Sequence, residues 1–286
     1  MADAPFQPAT NLWRAIEIPI LADALPHRGR GLDVGCGDGV LTRLLAELAG
    51  ATLEGSSARV SADRTGWSLV GVDVDPAETA LATAEGFYSA VHTSGADRIP
   101  EAEASFDFAF ANSVLEHIVD LPACLAEVGR VMKPGALFYA TVPSPGLHAL
   151  LRGPSKLRSI SRAEYLAETD RRLLHLRYPS VEDWRNLLLE AGFDLASVRG
   201  YLTSSQVRRW ERWTNGTGGL LYRLNGAKLR PIEIQRQLGM RRAIPRPIKL
   251  LARPLAWAAG RGVLSDDSTS PHETGCLLIV GRRRSL

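Results

Sequence analysis

Leu32-Asp33-Val34-Gly35-Cys36-Gly37-Asp38-Gly39 runs directly into Val40-Leu41-Thr42-Arg43-Leu44-Leu45-Ala46-Glu47-Leu48. A short apolar run bounded by glycine has strand character, and Val40, Leu41, Leu44, Leu45 and Leu48 recur at helical spacing. The local reading is strand, tight glycine turn, helix. Glycine lets a ligand approach bare backbone, beside N–H groups that have no intrahelical partner. In an open α/β sheet such turns lie at the carboxyl ends of the strands, where ligands bind.

The same rhythm continues outward. A helix is expected over 12–24, strands over 31–34 and 67–73, and a small, polar loop over 51–66. Pro76 suits the first turn of a helix reaching 85, because its missing N–H is harmless there. Strands follow at 88–93 and 106–111, the second a continuous apolar run suited to burial on both faces. A helix over 121–132 should stop at Lys133-Pro134-Gly135, before a strand at 137–142. Strands alternating with helices predict a doubly wound α/β sheet. The rhythm fails over 144–180, resumes with a helix at 181–191 and a strand at 194–198, and fails again over 203–270. The run Cys276-Leu277-Leu278-Ile279-Val280 is a strong final strand.

The chain has 286 residues, of which 45% are hydrophobic and 23% charged, an ordinary globular composition rather than a disordered one. Cys36, Cys124 and Cys276 are far apart without metal-ligand spacing, so free thiols, no metal and a cytoplasmic location are expected. The first residues lack the basic start and apolar core of a secretion signal, and no apolar run has transmembrane length. Charge is uneven: between Arg199 and Gly262 there are fourteen basic residues and two acids.

Two ligand classes use a strand–glycine–helix turn. A dinucleotide asks for G-x-G-x-x-G, as in a nicotinamide-dependent oxidoreductase, whereas Gly35, Gly37 and Gly39 read G-x-G-x-G. Asp38 would repel a pyrophosphate and suits a cationic ligand. Asp73 ends the second strand with a carboxylate able to accept ribose hydroxyls, while Asp75 is the better cap for the helix at Pro76.

Four stretches in order, LDVGCGDG (32–39), VGVDVDP (70–76), SFDFAFANSVLEHI (105–118) and EVGRVMKPGALFYATVPS (127–144), resemble the class I S-adenosylmethionine-dependent methyltransferases, in particular the small-molecule group. The resemblance implies a mostly parallel, Rossmann-like seven-stranded sheet with a final antiparallel hairpin and a helical insertion inside it. The core would be 30–202 plus 271–286, with 1–29 as an N-terminal helical cap, 144–180 as an acceptor-site cap and 203–270 as the insertion. It implies S-adenosylmethionine as cofactor, with Gly35, Cys36 and Gly37 along its methionine part and Asp33 supporting that loop. Asp73 would hold the ribose, with Val74 beside it. Ala96 or Asp97 would meet the adenine, where the family often has an acid at the position of Gly95. Asn112 would contact the methionyl end.

Methyl transfer from a sulfonium needs mainly positioning, and a general base helps when the acceptor is a hydroxyl. His117 and His175 are the expected catalytic residues, with Glu116 and His148 as weaker candidates. The acceptor is expected to be a small molecule, sugar or lipid, methylated on oxygen or nitrogen. A non-catalytic, membrane-associated protein that keeps the cofactor pocket is the reading from another class, and the intact Gly35, Gly37, Gly39 and Asp73 speak against it. Within 203–270, residues 244–262 mix Lys and Arg with Leu, Ile and Trp, the composition of a peripheral contact with anionic membrane. A helical lid is the plainer reading of that segment. Nucleic-acid binding ranks last, because no such module is recognisable.

Overall fold

The computed structural model describes residues 8–53, 66–155, 158–224, 226 and 271–285. The chain divides into two compact units. One, spanning 18–144, 177–199 and 276–286, holds the sheet; the other, spanning 1–17, 145–176 and 200–275, is mainly helical among its described residues.

In the sheet unit, β1 (Gly29–Val34) pairs in parallel with β3 (Gly66–Asp73) on one side and β5 (Phe106–Asn112) on the other. A two-residue strand, β2 (Thr52–Leu53), and β4 (Tyr88–Thr93) both pair with β3. On the far side β5 pairs with β6 (Met132–Pro143), and β8 (Cys276–Arg283) runs antiparallel to β6, between it and β7 (Phe193–Tyr201). The doubly wound sheet with an antiparallel final strand is thus observed, with β2 as an added edge fragment.

Register aligns the strand ends. Val34 lies opposite Val72 and Ala111, Asp73 opposite Thr93, and Asn112 opposite Thr141. The carboxyl ends of five strands therefore open on one edge. Both faces are buried, as the continuous run of β5 requires: Ala109 and Ala111 pack on one side, Phe108 and Phe110 on the other. On the first side lie α4 (Leu121–Val131) and α7 (Val181–Glu190), through Leu125, Val128, Trp184 and Leu188. On the second lie Ile18, Leu21 and Ala22 of α1 (Pro8–Ala24) and Leu45 and Ala46 of α2 (Val40–Leu48).

Three expectations are corrected. Lys133-Pro134-Gly135 does not follow a helix as a loop. The helix ends at Val131 and β6 begins at Met132, five residues before the expected strand. The pairing with β5 shifts register there, and Gly135 sits at φ 80°, so proline and glycine mark an irregular strand start instead. Residues 51–66 are not loop throughout, because Thr52 and Leu53 pair with Gly66 and Trp67. The first helix also begins earlier than expected, at Pro8, and carries Pro19 inside it.

The helical unit contains α5 (Pro145–Leu150), α6 (Arg162–Leu173), α8 (Ser204–Gly216) and α9 (Gly218–Leu224). Its hub is the buried Glu211, which accepts the backbone N–H of Arg152 (2.9 Å) and Gly153 (3.2 Å) and the Tyr165 hydroxyl (2.7 Å). Ser161 and Glu164 start α6 with a reciprocal capping box. Of the basic segment at 203–270, the part up to 224 is helical as expected; residues 244–262, and with them the membrane-contact expectation, lie outside the described residues. Among the described residues no helix is long and apolar enough to cross a membrane.

Candidate active site

The turn after β1 is built by three glycines at φ 74°, 53° and 78°, Gly35, Gly37 and Gly39. Left-handed backbone at alternate positions is what reserves them for glycine. The turn is tied to β3: Gly35 and Cys36 donate their N–H groups to the Val72 carbonyl at 2.7 and 3.0 Å. Gly37 donates to Asp73 Oδ2 at 3.0 Å, and Asp75 donates to Asp73 Oδ1 at 2.9 Å. The Asp73 carboxylate is thereby clamped at both oxygens, at the end of its strand.

Asp75 caps α3 (Pro76–Glu85) by accepting the Ala77 N–H at 2.9 Å. Asp75→Ala is expected to cost about 1 kcal/mol of stability, because that N–H loses its partner. Urea denaturation checks it, and an unchanged midpoint would count against the cap.

Beneath the turn, Asp33 is buried and accepts hydroxyls from Thr42 and Tyr88, each at 2.6 Å. Burial pushes its carboxyl up to about 6, against the opposing hydrogen bonds from Thr42 and Tyr88. Asp33 ionises near 3.8 when exposed, so between these values the folded protein binds the proton that the unfolded chain has released. Stability from this group is therefore highest below pH 3.8 and falls as pH rises to about 6, by roughly 3 kcal/mol in all. In Asp33→Asn that fall should vanish, since an amide oxygen still accepts both hydroxyls and does not titrate. Urea melts across this pH range read the difference, and a full slope in the variant would refute the assignment. Burial likewise pushes the Cys36 thiol far up, with Asp33 and Asp73 adding to the effect, so Cys36 is no nucleophile.

A cavity of about 390 Å³ opens beside the turn. Of the expected site residues, Gly35, Asp73, Val74, Ala96, Asp97 and His117 line it. Asp33, Cys36, Gly37 and Asn112 do not reach its wall; Asp33 and Gly37 instead hold the loop as described. The Asn112 amide donates to Thr141 Oγ1 at 3.0 Å, and the next residue, Ser113, is held in a left-handed turn (φ 52°) by its N–H to Thr141. His117 ends a short 3-10 turn (Leu115–His117); its side chain is about one-third exposed, and Nε2 lies 3.9 Å from the buried Glu116. It does not cap α4, a role taken by Asp120, which accepts from Ala123 N at 3.0 Å. His148 and His175 belong to the helical unit, where His148 Nε2 lies 2.8 Å from Asp170.

Sequence reasoning missed Ser94, Val114, Ile118, Val119 and Asp120 on the cavity wall. Ser94 immediately follows β4, which was a findable signal under the strand-end rule. Ile118 closes the 105–118 stretch, whereas Val119 and Asp120 carry no motif; the Val119 carbonyl accepts from Arg177 at 2.8 Å. Ser94 Oγ is buried with no hydrogen-bond partner among the described residues. Val74 and Val119 leave 70% and 83% of their surface to solvent at the rim. A clamped carboxylate, an orphaned hydroxyl and apolar walls fit a nucleoside: hydroxyls for the carboxylate, a ring edge for the hydroxyl, a flat face for the valines.

A family profile described as a methyltransferase domain matches residues 14–198. This chain belongs to the S-adenosylmethionine-dependent methyltransferases. The methyltransferase is 32% identical over 197 residues to the ubiquinone biosynthesis O-methyltransferase of Hahella chejuensis, covering 66% of this chain and 72% of that protein. It is 31% identical over 124 residues to the dimethylglycine N-methyltransferase of Parasynechococcus marenigrum, covering 43% and 40%. Among solved structures, an S-adenosylmethionine-dependent methyltransferase of Thermotoga maritima superimposes with TM-score 0.54 at 16% identity, over 98% of this chain and 93% of that one. Phosphoethanolamine N-methyltransferase 2 of Haemonchus contortus, in complex with S-adenosyl-L-methionine, gives TM-score 0.52 at 15% identity, over 97% and 52%. These likenesses place the methyltransferase fold, and S-adenosylmethionine is the enzyme's methyl donor.

Proposed function

We propose that the methyltransferase methylates an oxygen or nitrogen of a small-molecule acceptor, with sugars and lipids within that class. The observation that carries the reading is the clamped Asp73 carboxylate on the wall of the cavity, beside the bare backbone of Gly35. The relatives named for ubiquinone biosynthesis and for dimethylglycine support a small acceptor methylated on oxygen or nitrogen.

The residues take the following roles. Asp73 accepts the ribose hydroxyls: a carboxylate offers about four lone-pair sites, and Gly37 and Asp75 occupy two of them. Val74 covers one face of the adenine. Asp97 accepts from the adenine edge, with Ala96 beside it. A Cβ built on Gly95 would collide with Asp97 Oδ1, so this carboxylate stands where a side chain at residue 95 would be. An acid two positions later thus serves the place where relatives often carry one. Gly35 presents its backbone to the methionine part from the cavity wall, with Cys36 and Gly37 continuing the turn behind it; Asp33 holds that loop from below, and Asn112, behind the wall and bonded to Thr141, sets the strand end at the methionyl part.

Bound S-adenosylmethionine supplies a methyl group already activated on a sulfonium centre. The protein orients it and excludes water. His117, on the cavity wall, takes the proton from a hydroxyl acceptor, and His175 is the alternative base. His117→Gln is expected to lower kcat about 100-fold for a hydroxyl acceptor and to leave S-adenosylhomocysteine binding nearly unchanged. The same loss in His175→Gln but not in His117→Gln would transfer the role.

The reading is tested with labelled S-adenosylmethionine against a panel of phenols, sugar alcohols and amines. Label in one class of oxygen or nitrogen acceptor is the expected result. A protein that binds S-adenosylhomocysteine and labels none of them, or is stabilised by NAD alone, overturns it.

A further inference from the structure

In the helical unit, α6 places Tyr165, Glu168 and Arg172 on one face, three and four residues apart. Three guanidinium groups gather there. Arg158 pairs with Glu168 and lies over the Tyr165 ring at 5.9 Å. Arg223 of α9 approaches the same carboxylate at 3.9 Å and donates to the Asn215 carbonyl at 3.0 Å. Arg172 lies close enough to Glu168 to feel its charge, and its Nε is buried without a hydrogen-bond partner among the described residues. Its Nη1 packs against bare backbone at Gly219, where a Cβ would collide with it.

Three cations therefore share one carboxylate. Two of their donors, Arg158 Nη1 and Arg172 Nε, are buried without a hydrogen-bond partner among the described residues. A buried unsatisfied donor costs about 1–3 kcal/mol, and a guanidinium cannot escape by losing its proton. Burial already works against the charged form of Arg172. The cluster is nonetheless open to solvent, with Arg158 and Arg223 side chains 23% and 27% exposed. What satisfies such an arrangement is an oxyanion, which accepts from two guanidinium donors at once.

We propose that Arg158, Arg172 and Arg223 form an oxyanion-binding site that takes the carboxylate or phosphate of an acidic small molecule or lipid headgroup, with Glu168 as the competitor that the ligand displaces. This site stands apart from the methyl-donor reading and does not depend on it.

The test is a titration of the full-length protein with inorganic phosphate and with succinate, at constant ionic strength, followed by thermal shift. A saturable rise in melting temperature is expected. Arg172→Gln should weaken it at least tenfold, about the contribution of one charge-assisted hydrogen bond. Glu168→Gln should tighten it several-fold, an effect that no loss of folding imitates. S-adenosylhomocysteine, titrated in parallel, reports whether each variant is folded, and failure of that ligand alone would count against the methyl-donor reading instead. Wild-type protein without a saturable response, or an unchanged response in Glu168→Gln together with Arg172→Gln, overturns the site. Co-sedimentation with phosphatidylglycerol vesicles but not phosphatidylcholine vesicles, lost in Arg172→Gln, identifies a lipid headgroup; a phosphate response without sedimentation identifies a soluble ligand.

Discussion

Asp73→Ala is expected to abolish measurable S-adenosylhomocysteine binding by calorimetry while the protein stays folded. The proposed ribose contacts are hydrogen bonds to an ionised acceptor, each worth at least about 1.5 kcal/mol, so losing two weakens binding about 100-fold or more. A second loss adds to the first. The Asp73 carboxylate also receives the Gly37 and Asp75 N–H groups, so alanine frees the glycine turn from β3 at the point where it must present backbone. Asp75→Ala is the internal control. It removes a carboxylate two residues away whose partner is Ala77 and which does not line the cavity, and it leaves the Asp75 backbone N–H on Asp73, so affinity should stay within about twofold. Equal loss in both variants would mean that the helix start, and not the Asp73 carboxylate, governs binding. Undiminished affinity in Asp73→Ala would remove the cofactor assignment.

Gly35→Ala should be nearly as damaging, chiefly through stability. Gly35 sits at φ 74°, and a Cβ there would stand 2.5 and 2.7 Å from the two Cγ atoms of Val114. Left-handed backbone in a residue with a side chain costs about 1–3 kcal/mol, and forcing a methyl into a packed contact costs about as much again. Together these come to roughly 3 kcal/mol, or a melting temperature lower by roughly 10 °C in a protein of this size. The two causes are separable. Val114→Ala in the Gly35→Ala background should recover the steric share, about half, and leave the backbone share. Val114 also lines the cavity, so its displacement should weaken S-adenosylhomocysteine as well. A Gly35→Ala protein melting with the wild type would show that the turn can adopt another conformation.

Much of the sheet was legible because each strand is signalled locally. Strand β4 and the body of β3 lie where period and composition place them, and β5 was readable as buried on both faces from its unbroken apolar run. The start of β6 was not. Proline and glycine after a helix normally mean a loop, and only pairing with Phe106 draws Met132 into the sheet, bulge included. The two-residue β2 was invisible for the same reason, since two residues have no period and exist as a strand only against Gly66 and Trp67.

The site divides in a similar way. The residue types of the glycine turn, the acid ending β3 and the acid capping α3 follow from chemistry that acts within a few residues: positive φ, a strand end, a cap. Sequence alone therefore determined the sheet type, the place of the ligand turn and the methyl donor. Tertiary structure decided the rest. It put Ser94 and residues 118–120 on the cavity wall, drew Asp97 back over Gly95, buried Asp33 until its carboxyl rose to about 6, and gathered Arg158, Arg172 and Arg223 around one glutamate. Desolvation and encounters between distant segments are properties of three-dimensional neighbourhood, and no spacing along the chain encodes them locally.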